Sequence, residues 1–225
     1  MYIKKLQAVI FDMDGVIVDT DQIYHSTNQV IAEELSIPFT YNDSEKVKGI
    51  PRMEIIELMV KRTGKHFSLE EKERLAAKKN TTFLAFIDSL DETFILPGIV
   101  PFLEELKKNQ IKMGLASSSS NQKTVIQKVG LGHYFDVMVD PKTLLKGKPD
   151  PEIFLTAADS LGVPYRNCAA LEDGEAGMTA ILSTDMFSVG IGNGCSLVKQ
   201  SNWHVENTNE LTYDELKRRF NSSNS

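Results

Sequence analysis

The sequence predicts an α/β fold: a parallel sheet covered by helices on both faces and interrupted by an all-helical insert. Three observations carry this expectation. Short apolar runs rich in β-branched residues occur without polar alternation, which marks strands buried on both faces. From Leu96-Pro97-Gly98 onward such runs alternate with segments of helical periodicity, the pattern of a layered parallel sheet. Before that break lie roughly 70 residues with helical spacing and no convincing strand.

Taken in order, residues 6–11 form the first strand and stop at an acidic cluster. In the insert, Ile23, Val30, Ile31 and Leu35, then Ile55, Ile56, Met59 and Val60, then Leu75, Phe83, Leu84 and Ile87 recur at helical intervals. Ser68, followed by Glu70, Glu71 and Lys72, has the makings of a helix start, with acidic groups in the first turn. Beyond the break the periodicity predicts helix 100–109, strand 111–116, helix 122–129 and strand 136–139. Helix 151–162, strand 168–171, helix 175–183 and strand 187–191 follow. A strand near Val205 and a helix over 212–220 complete the series. The tail Asn221-Ser222-Ser223-Asn224-Ser225 is low in complexity and is expected to fray.

Composition excludes several classes. The 225 residues are 41% hydrophobic and 25% charged, enough for a substantial core and too apolar for a disordered chain. No run approaches a membrane span, and Ala8-Val9-Ile10-Phe11 is too short for a secretion signal. Cys168 and Cys195 alone make no disulfide framework, so a cytoplasmic location is expected. A net charge of −6 argues against nucleic acid as a partner. A phosphorylated metabolite needs only a few local cations, and the run Lys78-Lys79-Asn80 offers some. No membrane partner is expected, and the chain is read as a monomer.

In an open parallel sheet, ligands bind beyond the carboxyl ends of the strands. Asp12-Met13-Asp14-Gly15 follows the first strand and Ser117 to Asn121 the second. The third leads through Asp140-Pro141 to Lys146-Gly147-Lys148-Pro149, and the fourth to Glu172-Asp173-Gly174. Acidic residues from two strand ends make a hard oxygen site suited to Mg²⁺. That ion and Lys148 would offset repulsion between an anionic nucleophile and a phosphate. Asp12 can attack phosphorus, Asp14 can shuttle the proton of the leaving or attacking hydroxyl, and Ser117 can hydrogen-bond a phosphate oxygen. Gly15 frees the chain to turn sharply. Each feature alone has a plainer reading. The Asp pair can be a solvated turn, Glu172-Asp173 or the serines a helix cap, and Lys148 a surface cation. Convergence on successive strand ends favours a site.

These segments resemble the haloacid dehalogenase superfamily, in its phosphatase and phosphomutase branch. Asp12-Met13-Asp14-Gly15-Val16-Ile17-Val18-Asp19-Thr20 resembles its first motif and Leu115-Ala116-Ser117-Ser118 its second. Lys148-Pro149-Asp150-Pro151-Glu152-Ile153-Phe154 resembles the third, and Leu171-Glu172-Asp173-Gly174-Glu175-Ala176-Gly177 the fourth. The resemblance implies a Rossmann-like core over 1–20 and 93–225, with a helical cap domain over 21–92. It makes Asp12 the nucleophile and Asp14 the general acid/base, with Ser117 and Lys148 holding the phosphoryl group. It assigns Mg²⁺ to Asp12, the backbone carbonyl of Asp14, Glu172 and Asp173.

Cap residues resemble the β-phosphoglucomutase group of that superfamily: Thr20, His25, Val47-Lys48-Gly49-Ile50-Pro51-Arg52 and Lys79-Asn80. The likeness implies that Arg52 holds the phosphate that is not being transferred. Gly49 and Ile50 bring cap backbone to the sugar, with Thr20, His25 and Lys79 beside it, and Ser118, Ser119 and Asn121 contact it from the core. His25 follows one more residue than the pattern has, and Ser120 stands where a lysine is usual. A phosphorylated sugar is the implied partner, and the implied reaction interconverts β-glucose 1-phosphate and glucose 6-phosphate. Hydrolysis of a small sugar or polyol phosphate is the alternative. A non-catalytic protein with a relict site is a third reading, disfavoured by Asp12, Asp14, Lys148 and Asp173 all being intact.

Overall fold

The computed structural model describes residues 5–223. Strand β1 (Ala8–Phe11) is wholly buried. Its side chains alternate between two apolar clusters, as strand geometry requires. Ala8 and Ile10 pack with Phe154, Ala157 and Ile181, whereas Val9 and Phe11 pack with Phe102, Leu103 and Phe187. Burial on both faces explains why the run lacks polar alternation.

Strands β2 (Lys112–Leu115), β3 (Val137–Met138), β4 (Cys168–Glu172), β5 (Phe187–Ile191) and β6 (Trp203–Val205) complete a six-stranded sheet. All pairings are parallel and the order is β3-β2-β1-β4-β5-β6. The chain builds outward from β1 on one side, then returns to build on the other. A crevice opens beyond the strand ends at such a reversal. Phe11 pairs with both Leu115 and Leu171, so Asp12 emerges between the segment entering Ser117 and the end of β4 at Glu172.

Between β1 and α5 (Ile99–Lys108) lie four helices, α1 (Asp21–Glu34), α2 (Tyr41–Lys46), α3 (Arg52–Arg62) and α4 (Leu69–Ile87), with no intervening strand. They enclose their own apolar cluster of Ile31, Ile55, Ile56, Met59, Val60, Leu75 and Ala76. Ile23, Phe83 and Ile87 instead join the cluster under the sheet, which anchors α1 and α4 to it. The start at Ser68 is a full capping box. Ser68 Oγ accepts from the Glu71 N–H, and the Glu71 carboxylate accepts from the Ser68 N–H. Helices α6 (Gln122–Lys128), α7 (Glu152–Leu161), α8 (Glu175–Leu182) and α9 (Tyr213–Ser222) follow in the expected places.

Most boundaries shift by a residue or two from expectation, and three of the differences matter. Strand β1 begins at Ala8 rather than residue 6. Strand β4 includes Glu172, so that carboxylate rides on the sheet. Asn221 and Ser222 are not frayed but close α9, because buried Leu216 and Phe220 hold the helix down and Thr212 caps its start. Asn224 and Ser225 lie outside the described residues. Both cysteines are free, and burial pushes the Cys168 thiol up to about 12, an inert packing group. Among the described residues, no helix is long and apolar enough to cross a membrane.

Candidate active site

The strand ends converge as their register requires. Lys148 is fully buried, and its Nζ lies 2.5 Å from Asp12 Oδ1 and 2.8 Å from Glu172 Oε2. It is no surface cation. Burial alone would drive it neutral, but the Asp12 and Glu172 carboxylates overcome that and keep it protonated. Glu172 Oε1 turns back to accept from the Gly174 N–H at 2.9 Å and the Asp173 N–H at 3.1 Å. Neither acidic residue caps α8, whose N-cap is Gly174 with no side-chain bond.

Asp12, Glu172 and Asp173 each bring a carboxylate oxygen to within 4.8 Å of the others. Asp173 Oδ1 is buried with no hydrogen-bond partner among the described residues, while its Oδ2 is held by Lys48 at 2.6 Å. An orphaned anionic oxygen among three carboxylates fits a hard divalent cation. Two glycines keep the space open. A Cβ on Gly15, which has φ +77°, would overlap the Asp173 carboxylate, and one on Gly177 would overlap Glu172. The Asp14 side chain stays outside the cluster, with its Oδ1 accepting from Thr20 Oγ1.

Crowding shifts these groups upward. Burial first, then the Glu172 charge, push Asp12 up to about 7 against the pull of Lys148. Burial raises Asp14 to about 6, opposed by the Thr20 bond and Lys48. Asp173 is raised as well, chiefly by burial. Asp14 can therefore hold or accept a proton near neutral pH. A carboxyl raised on folding binds protons that the unfolded chain has already released, so stability falls as pH rises from about 4 to about 7. The depressed carboxylates, such as Glu215 at about 2, titrate below that window. The metal-free protein is thus expected to melt higher near about pH 5 than near about pH 8, and Mg²⁺ to raise the melting point more at the alkaline end. Melting curves with chelator and with excess Mg²⁺ check this; a metal-free melting point that climbs over the same interval contradicts it.

Above the cluster lies a cavity of about 750 Å³, walled by Asp12, Asp14 and the serine loop on one side and by α1, α3 and α4 on the other. Lys48 bridges the two sides, with Nζ 2.8 Å from Asp21 as well as 2.6 Å from Asp173. Ser118 Oγ donates to the Gly49 carbonyl at 2.7 Å, and Ile50 lines the wall beside it. Arg52 donates to Ser120 Oγ at 2.7 Å rather than pairing with Glu54 or Glu57. Lys79 is only 4% exposed, and burial, with Arg52 close by, lowers it to about 8. Among the described residues neither cation has a carboxylate in salt-bridge contact. Asn121 donates to Asn80, and the Ser117 and Ser119 hydroxyls accept from the backbone of their own loop.

His25 is not brought to the cavity. It is buried, stacked on Tyr41 with ring centroids 3.7 Å apart, and its Nδ1 lies 2.7 Å from Ser44 Oγ. Tyr24 lines the cavity instead, beside Asp14 and Ser119, with Lys79 Nζ 5.4 Å from its ring centroid. The additional residue noted after Thr20 was the available signal, since one position turns a helix by about 100°. Lys48 lies in the segment 47–52, and nothing in the sequence alone marks it as the bridge to Asp21 and Asp173.

The family model for haloacid dehalogenase-like hydrolases matches residues 6–183. The chain belongs to the haloacid dehalogenase-like hydrolase family. Within this family it is a close homologue of β-phosphoglucomutase from Bacillus subtilis, 42% identical over 94% of both chains. It is 33% identical to a phosphorylated carbohydrates phosphatase from Thermotoga maritima, over 79% of this chain and 81% of that one. Its fold superposes on the crystal structure of β-phosphoglucomutase from Clostridium difficile with a TM-score of 0.93 and 38% identity, covering 97% and 98% of the two chains. The haloacid dehalogenase-like fold thus extends from the sheet to the four inserted helices.

Proposed function

We propose that this chain is a phosphosugar mutase interconverting β-glucose 1-phosphate and glucose 6-phosphate. The observation that carries the reading is the polarity of one cavity. A nucleophile-bearing carboxylate cluster forms one end, and two cations with no carboxylate in salt-bridge contact among the described residues, half-buried Arg52 and buried Lys79, line the opposite wall. A sugar bisphosphate matches both ends. Residues 1–20 and 93–225 act as the core and 21–92 as a cap.

Asp12 attacks the phosphorus of a sugar bisphosphate, forming an Asp12 O–P bond and breaking the P–O bond to the sugar, while Asp14 gives the leaving oxygen its proton. In return, a hydroxyl of the monophosphate attacks phospho-Asp12, Asp14 takes its proton, and the carboxylate is released. Ser117 and Lys148 hold the transferring group. Asp12, Glu172, Asp173 and the Asp14 backbone carbonyl would hold Mg²⁺, which neutralises developing charge on the phosphoryl oxygens when bound. Closure of the cap excludes the water that would otherwise hydrolyse phospho-Asp12.

A coupled assay tests this: β-glucose 1-phosphate with a trace of bisphosphate should yield glucose 6-phosphate without free phosphate. Free phosphate alone would favour the sugar-phosphate phosphatase, a reading supported by Ser120 in place of a cation. Arg52→Lys is expected to lower mutase flux about 10- to 100-fold, the effect of losing one charge-assisted bond of ~1.5–3 kcal/mol. Unchanged mutase kinetics in that variant would remove Arg52 from the account.

A further inference from the structure

The wall contributed by α1 carries a polar group that nothing above employs. Asn28 stands one helical turn after Tyr24, so the two share a face, and both line the cavity. Asn28 is 2% exposed, and its Oδ1 has no hydrogen-bond partner among the described residues. A buried carbonyl oxygen is seldom left unpaired, and on a residue that lines a cavity a turn of the amide about χ2 brings that oxygen to a donor supplied from outside the chain. Several other polar groups nearby already have partners within the chain. Asn80 accepts from Asn121, Arg52 donates to Ser120, and the Tyr24 hydroxyl sits beside Asp14 and Ser119.

We propose that Asn28 is a specificity residue whose Oδ1 accepts a hydrogen bond from one hydroxyl of the phosphorylated ligand. The chemistry selects the ligand class. An amide oxygen is acceptor-only, and so are the oxygens of a fully ionised phosphate, so the two do not pair. A hydroxyl does, and a polyhydroxylated phosphate brings several. The division of labour follows: Arg52 and Lys79 face the distal phosphate, Asp14 the reacting oxygen, and Asn28 a hydroxyl on the carbon frame between. A site built to bond a hydroxyl also rejects the analogue that lacks it, because the buried oxygen then stays unpaired. This inference rests on the cavity taking a sugar phosphate.

A cycle between variant and ligand tests it. Isothermal titration of the Mg²⁺-loaded protein compares glucose 6-phosphate with its single-position deoxy analogues, against wild type and Asn28→Leu. Asn28→Ser serves if the leucine variant does not fold. The expected result is that Asn28→Leu weakens glucose 6-phosphate about 10- to 100-fold. One deoxy analogue alone should then bind wild type and variant equally, while the others lose the same factor as the parent. Equal losses for every analogue, or undiminished binding of the parent, overturn the inference. If glucose 6-phosphate does not bind wild type, the same cycle is run with sorbitol 6-phosphate and its deoxy analogues, and failure of both ligands to bind overturns it too. The two readings separate cleanly. The expected pattern without glucose 6-phosphate formation from β-glucose 1-phosphate removes the mutase and keeps Asn28. Mutase activity with equal losses does the reverse.

Discussion

Lys148→Met is expected to cost about 3–5 kcal/mol in metal-free protein near about pH 8, lowering the melting point by roughly 6–20 °C at this chain length. The lysine's side chain is wholly buried, and among the described residues it is the one cation in contact with both Asp12 and Glu172. Removing it leaves two carboxylates in a low-dielectric interior without compensation. The cost should shrink toward about pH 5, because Asp12 then takes a proton and ceases to be a buried charge. Mg²⁺ should restore part of the stability by supplying positive charge to the same oxygens. Thermal unfolding at the two pH values, with and without metal, reads all three effects. A variant as stable as the parent under every condition would mean that Lys148 does not hold the cluster together.

Asp12→Asn separates chemistry from stability. An amide at this position has nearly the same shape, keeps the Lys148–Glu172 pair, and removes a carboxyl that burial already disfavours. The variant should fold at least as well as the parent near neutral pH. Phosphoryl transfer should nevertheless fall about 10⁴-fold or more, because Asp12 is the proposed nucleophile and an amide cannot form the covalent intermediate. Glucose 6-phosphate formation, measured beside a melting curve, distinguishes a folded inactive protein from an unfolded one. Residual turnover within about tenfold of the parent would assign the nucleophile elsewhere.

What could be read from the chain, and what could not, divides along physical lines. Strands β1, β4 and β5 were legible because burial on both faces forces continuous apolar runs, and their carboxyl ends had to share an edge. That topology by itself brings Asp12, Ser117, Lys148, Glu172 and Asp173 to one edge. The inserted helices were legible as helices, since their apolar spacing is strong. Their cavity-facing residues were not, because register on a helix turns on single positions. His25 and Tyr24 are neighbours in the chain, yet one stacks on Tyr41 and the other faces Asp14. Asn28 could not be found from sequence at all, for an unpaired carbonyl is a property of surroundings rather than of residue type. Lys48 likewise gains its meaning only from Asp173 and Asp21, which lie far from it in the chain.

The proposed reaction requires a side-chain carboxylate to become phosphorylated inside a cluster drawn from separate strands. The most direct measurement is to incubate the Mg²⁺-loaded protein with glucose 1,6-bisphosphate, quench it rapidly in acid, and map the modification by peptide mass spectrometry after hydroxylamine trapping. A single hydroxylamine-labile phosphoryl group on Asp12, absent from Asp12→Asn, is the predicted result. A phosphoryl group carried by any other residue, or substrate turnover with no covalent phosphate at any stage, would contradict it.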